Sequence, residues 1–295
     1  MHKIQLFIPT GIIFDFILSL IHTTRRLKYI PNFIFPRTLN EYFFREKIIF
    51  TSNLDLAQTI TDKSKLKTWL DKIGLTDLTP NTYLVTSNID YLKGFLLPSK
   101  CIIKPTHSSG KLLIINEGTS RYLSQEELLK IDSWLKEDYY RRGREPNYRN
   151  IEPRIMIEEL LVCKSNDLTP DDYKIFCIKG IPYLIQLDTK RFTDHSRQLY
   201  SPDWELLPYS YQYRRDPTPK PIPPNLSIAL NIARKISRHF HICRVDMYLL
   251  DGNKIKVGEV TFFPENCGGK FKNYGEDLEA GNLIRNIVAT KQKLS

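Results

Sequence analysis

Apolar residues in this chain recur at two spacings, and the spacings sort it into elements. In DKSKLKTWLDKIG (62–74), Leu66, Trp69, Leu70 and Ile73 share one helical stripe, which Gly74 ends. Ser124 and Glu127 make a capping box ahead of a helix carrying Leu128, Ile131 and Leu135. Asn225 caps a third helix, with Ala229, Ile232, Ala233, Ile236 and Phe240 on its stripe. The short runs CIIK (101–104), KLLII (111–115) and RIMIEELL (154–161) predict strands. YKIFCIK, Gly180 and IPYLIQLD (173–188) predict a hairpin. Seven prolines in residues 200–224 predict a long loop, and the first sixty residues read as helical and irregular.

The last hairpin is the most informative. ICRVDMYLL (242–250) and KIKVGEVTFF (254–263) flank Asp251-Gly252-Asn253. A two-residue Gly252-Asn253 turn makes facing residue numbers sum to 505, which sets Asp246 opposite Glu259. Period-two alternation then adds Arg244 and Thr261 to the same face. Opposed carboxylates repel. A divalent cation with hard oxygen ligands, such as Mg²⁺, removes the conflict. The competing reading is a half-exposed strand on which Arg244 neutralises Asp246.

A second clue lies at residues 104–110. Lys104 ends a strand, and Pro105-Thr106-His107-Ser108-Ser109-Gly110 follows, a loop able to offer backbone N–H groups and a lysine to phosphate. It is not a Walker sequence.

Composition narrows the classes. Lys+Arg 43 against Asp+Glu 33 gives +10 over 295 residues, and the hydrophobic fraction of 41% excludes disorder. The net charge suits an anionic partner, but the basic residues are scattered, so nucleic acid is an unlikely ligand. Five cysteines without zinc spacing read as small buried hydrophobes in a reducing compartment. The apolar run GIIFDFILSLI (11–21) is about half the length a bilayer requires and holds Asp15. It reads as a docked helix; the sharper alternative is a peripheral membrane contact through residues 11–28, aided by Arg25, Arg26 and Lys28.

Taken in order, FPRTLNEYFFREKI, TDKSKLKTWL, IIKPTHSSG, DYKIFCIKG and RVDMY…GEVTFFPENCGG resemble the TupA-like family of the ATP-grasp superfamily, over roughly residues 35–285. The resemblance implies two α+β subdomains clasping ATP, with residues 1–60 as a short helical segment, 61–160 as the small subdomain and 161–295 as the C-terminal one. It implies that Lys63 and Lys104 contact phosphates, and that the loop of Thr106, His107, Ser108, Ser109 and Gly110 closes over them. Glu158, Glu159, Leu160 and Leu161 become the hinge that reads adenine. Asp172 accepts from the ribose, and Lys174 joins the ATP-binding set. Asp246, Glu259 and Thr261 would hold Mg²⁺, with Thr261 where the superfamily commonly has Asn. Arg244 would stabilise charge at the transferred group, and Lys190 or Arg191 would reach the γ-phosphate. The N-terminal segment departs from the superfamily, since it does not read as a βαβ substrate domain.

The activity so implied is a cytoplasmic carboxylate–amine ligase, forming an amide through an acyl phosphate. Its substrates would be a small molecule or polysaccharide bearing the carboxylate and an amine, of the amino acid to uronic acid type in cell-surface polymer synthesis. The alternatives are an ATP-grasp kinase acting on a sugar or polyol hydroxyl, and a non-catalytic module binding ATP or a polyanion.

Overall fold

The computed structural model describes residues 8–162 and 169–294. Two antiparallel sheets organise the chain. The smaller contains β1 (Thr82–Thr86), β2 (Cys101–Pro105), β3 (Leu113–Ile115) and β4 (Ile155–Glu159), in the order β1-β4-β2-β3. The larger contains β5 (Asp172–Ile178), β6 (Ile181–Thr189), β7 (Ser196–Tyr200), β8 (Ile242–Leu249) and β9 (Ile255–Thr261), in the order β7-β6-β5-β8-β9.

Helices α1 (Ile12–Leu27), α2 (Leu39–Ile49), α3 (Leu54–Thr61) and α4 (Lys63–Lys72) precede the sheets. Helices α5 (Gln125–Leu135) and α6 (Tyr139–Gly143) lie between β3 and β4, α7 (Leu226–Ser237) precedes β8, and α8 (Tyr274–Leu294) closes the chain. The Ser124–Glu127 capping box at α5 forms as expected. Asn225 precedes α7, but its side chain makes no cap bond.

Each sheet has its own core. Ile103, Ile115, Ile155 and Ile157 of the small sheet pack with Leu128, Ile131 and Trp134 of α5. The larger core joins Ile175, Val245 and Val260 of the big sheet to Ala229, Ala233 and Ile236 of α7. It also takes in Phe43 and Phe44 of α2, Leu66 and Leu70 of α4, and Ala280 and Ile284 of α8. The larger unit is therefore built from both ends of the chain, and α4 belongs to its core although it precedes the small sheet. The four cysteines among the described residues are free and buried; Cys163 lies outside them.

The hairpins show how turns set faces. Lys179 and Gly180 both adopt positive φ (46° and 81°), the pattern of a two-residue turn between β5 and β6. The β8–β9 turn has three residues, because the Leu250 N–H donates to the Lys254 carbonyl at 2.8 Å. Next to the turn the facing numbers therefore sum to 504, as in Met247 opposite Val257. A bulge at Gly258 adds the missing residue, and beyond it Asp246 faces Glu259 and Arg244 faces Thr261. Without the bulge, alternation would put Glu259 on the same face as the buried Val257.

Helix α8 is locked to α2 by a buried polar knot. Asp277 accepts from the Asn40 N–H (3.1 Å), the Asn40 amide (2.7 Å) and the Tyr29 hydroxyl (2.9 Å). Burial pushes its carboxyl up to about 6 despite these donors. An acid whose folded pKa is raised contributes stability that is lost as pH rises from its ordinary value near 3.8 to about 6. Thermal unfolding should therefore show Asp277→Asn gaining on the wild type across that window, by on the order of 2 kcal/mol.

Candidate active site

Period-two alternation collects the polar residues of the large sheet on one face. Asp172 and Lys174 of β5 lie beside Asp188 and Gln186 of β6, and beside Tyr248 and Asp246 of β8. Arg197 of β7 lies opposite Asp188, and Glu259 of β9 opposite Asp246. The reverse face, with Ile175, Val245 and Val260, is core. So Asp, Lys and Arg occupy positions in otherwise apolar strands, where each needs a partner.

Lys174 is the hub. Its ammonium binds Asp172 and lies 3.7 Å from Asp188 and 3.4 Å from Asp246. Arg244 grips Asp246 with both Nε (2.7 Å) and Nη2 (2.6 Å), and Nη2 also reaches Thr261 Oγ1 at 3.3 Å. Arg191 donates to Asp172 at 2.7 Å, and Arg197 holds Asp188 through two bonds of 2.5 and 2.9 Å.

Glu259 differs from the aspartates. Its carboxylate accepts from the Thr261 hydroxyl at 3.2 Å. Burial would raise its pKa, yet Lys63, then Arg244 and Lys174, outweigh burial and hold it down at about 2. Asp246 moves the other way: burial raises it against the pull of Arg244 and Lys174.

The small sheet supplies the opposite wall. Lys104 of β2 pairs with Glu158 of β4. Asp62 caps α4, so Lys63 is the first residue of that helix, and its ammonium donates to the Ser108 carbonyl at 2.7 Å. Burial lowers the Lys63 pKa, opposed mainly by Glu259. These walls enclose a cavity of about 190 Å³ reached by Lys63, Lys104, Ser108, Ser109, Gly110, Glu158, Asp172, Lys174, Asp246 and Glu259. A second cavity, of about 430 Å³, shares Ser109, Lys174, Arg191 and Glu259 with the first. It continues past Arg244 and Thr261 to Arg142, Glu145 and Tyr148, and to His22 and Arg26 of α1.

Most of the expected residues converge here, and some do not. The buried His107 turns its ring to the Trp134 carbonyl at 3.1 Å, and Thr106 is buried; neither lines these cavities. Glu159 accepts from Asn81, and Leu160 and Leu161 are buried beside the undescribed residues 163–168. Lys190 is exposed at a positive-φ turn, whereas Arg191 lines both cavities. Sequence reasoning missed Asp188, Gln186 and Arg197. Polar residues two apart in IPYLIQLD were the signal for the first two.

The donor set fits a divalent cation. Asp246 and Glu259 are hard oxygen donors on one face, Arg244 engaging both Asp246 oxygens, and Asp172 Oδ1 on that face is buried without a partner. Among the described residues no group of three or more His, Cys, Asp or Glu forms a metal cage. Two carboxylates suit Mg²⁺, which keeps waters and shares ligands with phosphate.

Two antiparallel sheets thus face a cleft with lysines on one wall and paired carboxylates on the other. The chain belongs to the TupA-like ATP-grasp family, whose model matches residues 44–285. Its fold is the ATP-grasp fold, with helices at the N-terminus. A search of curated proteins finds no match. Among solved structures the chain is similar to an L-amino acid ligase from Bacillus licheniformis, at 15% identity and a TM-score of 0.44, over 76% of this chain and 48% of that one. It is also similar to N5-carboxyaminoimidazole synthase from Aspergillus clavatus (14%, 0.43, 75% and 50%) and to D-alanine–D-alanine ligase from Bacillus anthracis (16%, 0.39, 72% and 57%). The chain thus spans about half the length of the structures it resembles.

Removing the hub leaves three aspartates short of a buried cation. Lys174→Met should cost about 3–5 kcal/mol in denaturant unfolding.

Proposed function

We propose that the protein is an ATP-dependent carboxylate–amine ligase. The observation that carries this reading is the cross-strand pair Asp246–Glu259, aimed at a cleft whose far wall holds Lys63 and Lys104. Family membership supports it.

In this reading the smaller cavity takes ATP. Lys63 and Lys104 neutralise phosphate oxygens, and the Ser108–Gly110 backbone cradles them. Glu158, which lines this cavity where Glu159, Leu160 and Leu161 do not, serves the base, and Asp172 the ribose. Asp246 and Glu259, with Thr261 beside them, would hold Mg²⁺, which would spread the charge of the phosphates. Arg244 faces the larger cavity, where its guanidinium stabilises charge at the transferred group, and Arg191 is better sited than Lys190 to assist.

The larger cavity takes the carboxylate substrate. A carboxylate oxygen attacks the γ-phosphorus, the bond to ADP breaks, and an acyl phosphate forms. An amine then displaces phosphate to give the amide. The site residues only position and neutralise, as phosphoryl transfer requires. The family resemblance extends the reading to amino acid and uronic acid partners in cell-surface polymer synthesis.

The test is product analysis. ADP and phosphate should appear only when carboxylate and amine are both present, with an amide in the mass spectrum. AMP, or a stable phosphoester, overturns the reading. Asp246→Ala and Glu259→Ala should each lower kcat by roughly 10²–10³-fold.

A further inference from the structure

Helix α1 has two unlike faces. Its inner face is fixed to the protein: Asp15 accepts from Arg144 at 2.8 Å and from the Tyr140 hydroxyl, and Arg26 donates to the Gly268 carbonyl at 2.8 Å. Ser19 and Thr23 are buried on that side. The outer face is apolar and open. Ile13 is 71% exposed, and Ile17 and Ile21 continue its row at four-residue spacing. On the same face Arg25 and Lys28 end the helix, both exposed.

A second apolar segment flanks the first. Phe33 packs edge-on against Phe16 of α1 at 5.5 Å, and Arg45 ties down the Phe33 and Ile34 carbonyls at 3.1 and 2.6 Å. The loop is thus held with Ile34 and Phe35 outward, Phe35 being 74% exposed, and Arg37 beside them is exposed as well. Anchored from behind, neither segment can turn its apolar side chains inward.

We propose that α1 and the 30–35 loop form a docking surface for an anionic lipid bilayer. The inference is independent of the ligase reading. Among the described residues no helix is long and apolar enough to cross a membrane, so the contact is in-plane. Protruding isoleucines bordered by Arg25, Lys28 and Arg37 match acyl chains below a layer of negative headgroups. The acidic residue of the helix, Asp15, is turned away into its bond with Arg144.

The experiment is vesicle co-sedimentation of the full chain. Vesicles of phosphatidylcholine mixed with phosphatidylglycerol should bind it at least about tenfold more tightly than phosphatidylcholine alone, and high salt should weaken the binding. The triple variant Ile13→Asp, Ile17→Asp, Ile21→Asp should lose about a hundredfold in affinity, with circular dichroism verifying its fold. Should that variant unfold, Ile34→Ser with Phe35→Ser in the loop should lose about tenfold. No binding to either vesicle, or undiminished binding by the folded variants, overturns the proposal. So does a dimer in light scattering that the triple variant makes monomeric without any vesicle binding.

Discussion

Four carboxylates share one face of the large sheet, and the arrangement depends on the cations set between them. Asp172, Asp188 and Asp246 surround the Lys174 ammonium. Arg191 shares Asp172 Oδ2 with that ammonium, while Arg197 and Arg244 grip both oxygens of Asp188 and Asp246. An isolated buried charge of any of these types would be costly, and a lattice of alternating sign makes the group tolerable. The lattice also orders the strands. A one-residue slip of any strand would carry its charges into the hydrophobic layer under α7.

The same lattice is what gives the cleft its chemistry. Glu259 has fewer protein partners than the aspartates, yet Lys63, from the opposite wall, keeps it ionised. Its negative charge is thus maintained by residues that would face phosphate in the proposed complex. A lysine aimed at a carboxylate in one state can turn to a phosphate in another, since both are anionic oxygens. Such local departures from a quiet apolar interior are expected at functional sites.

The Asp246–Glu259 pairing could be read in the sequence, though by a route the structure corrects. A two-residue turn and an unbroken ladder give the right partners. The protein uses a three-residue turn and a bulge at Gly258, and the two departures cancel. The bulge is what turns Glu259 out of the core, and glycine suits it: a Cβ there would lie 3.1 Å from the Tyr248 ring. Seven of the nine strands among the described residues, the α5 capping box and the helix opening with Lys63 were equally readable, because short-range periodicity and caps set them, whereas the edge strands β1 and β7 were not. The side of the loop was not. Ser108 to Gly110 line the cleft, whereas His107 is drawn away by a carbonyl in α5, a contact between residues 27 apart.

By itself, then, the sequence determined most of the elements, most polar positions within strands and the family. The first two depend on neighbours a few residues apart, and the family on several such segments in order. Tertiary structure alone decided which distant segments meet. It brought His22 and Arg26 from the first helix to the larger cavity, and paired Arg197 with Asp188. It also settled that the apolar run of residues 12–21 docks through Asp15, Ser19 and the half-buried Phe16 and Leu20, and leaves Ile13, Ile17 and Ile21 open. The physical reason is that periodicity reports that one side of a helix differs from the other. Which side the rest of the chain covers is set by long-range partners, here Arg144 and Gly268 gripping Asp15 and Arg26.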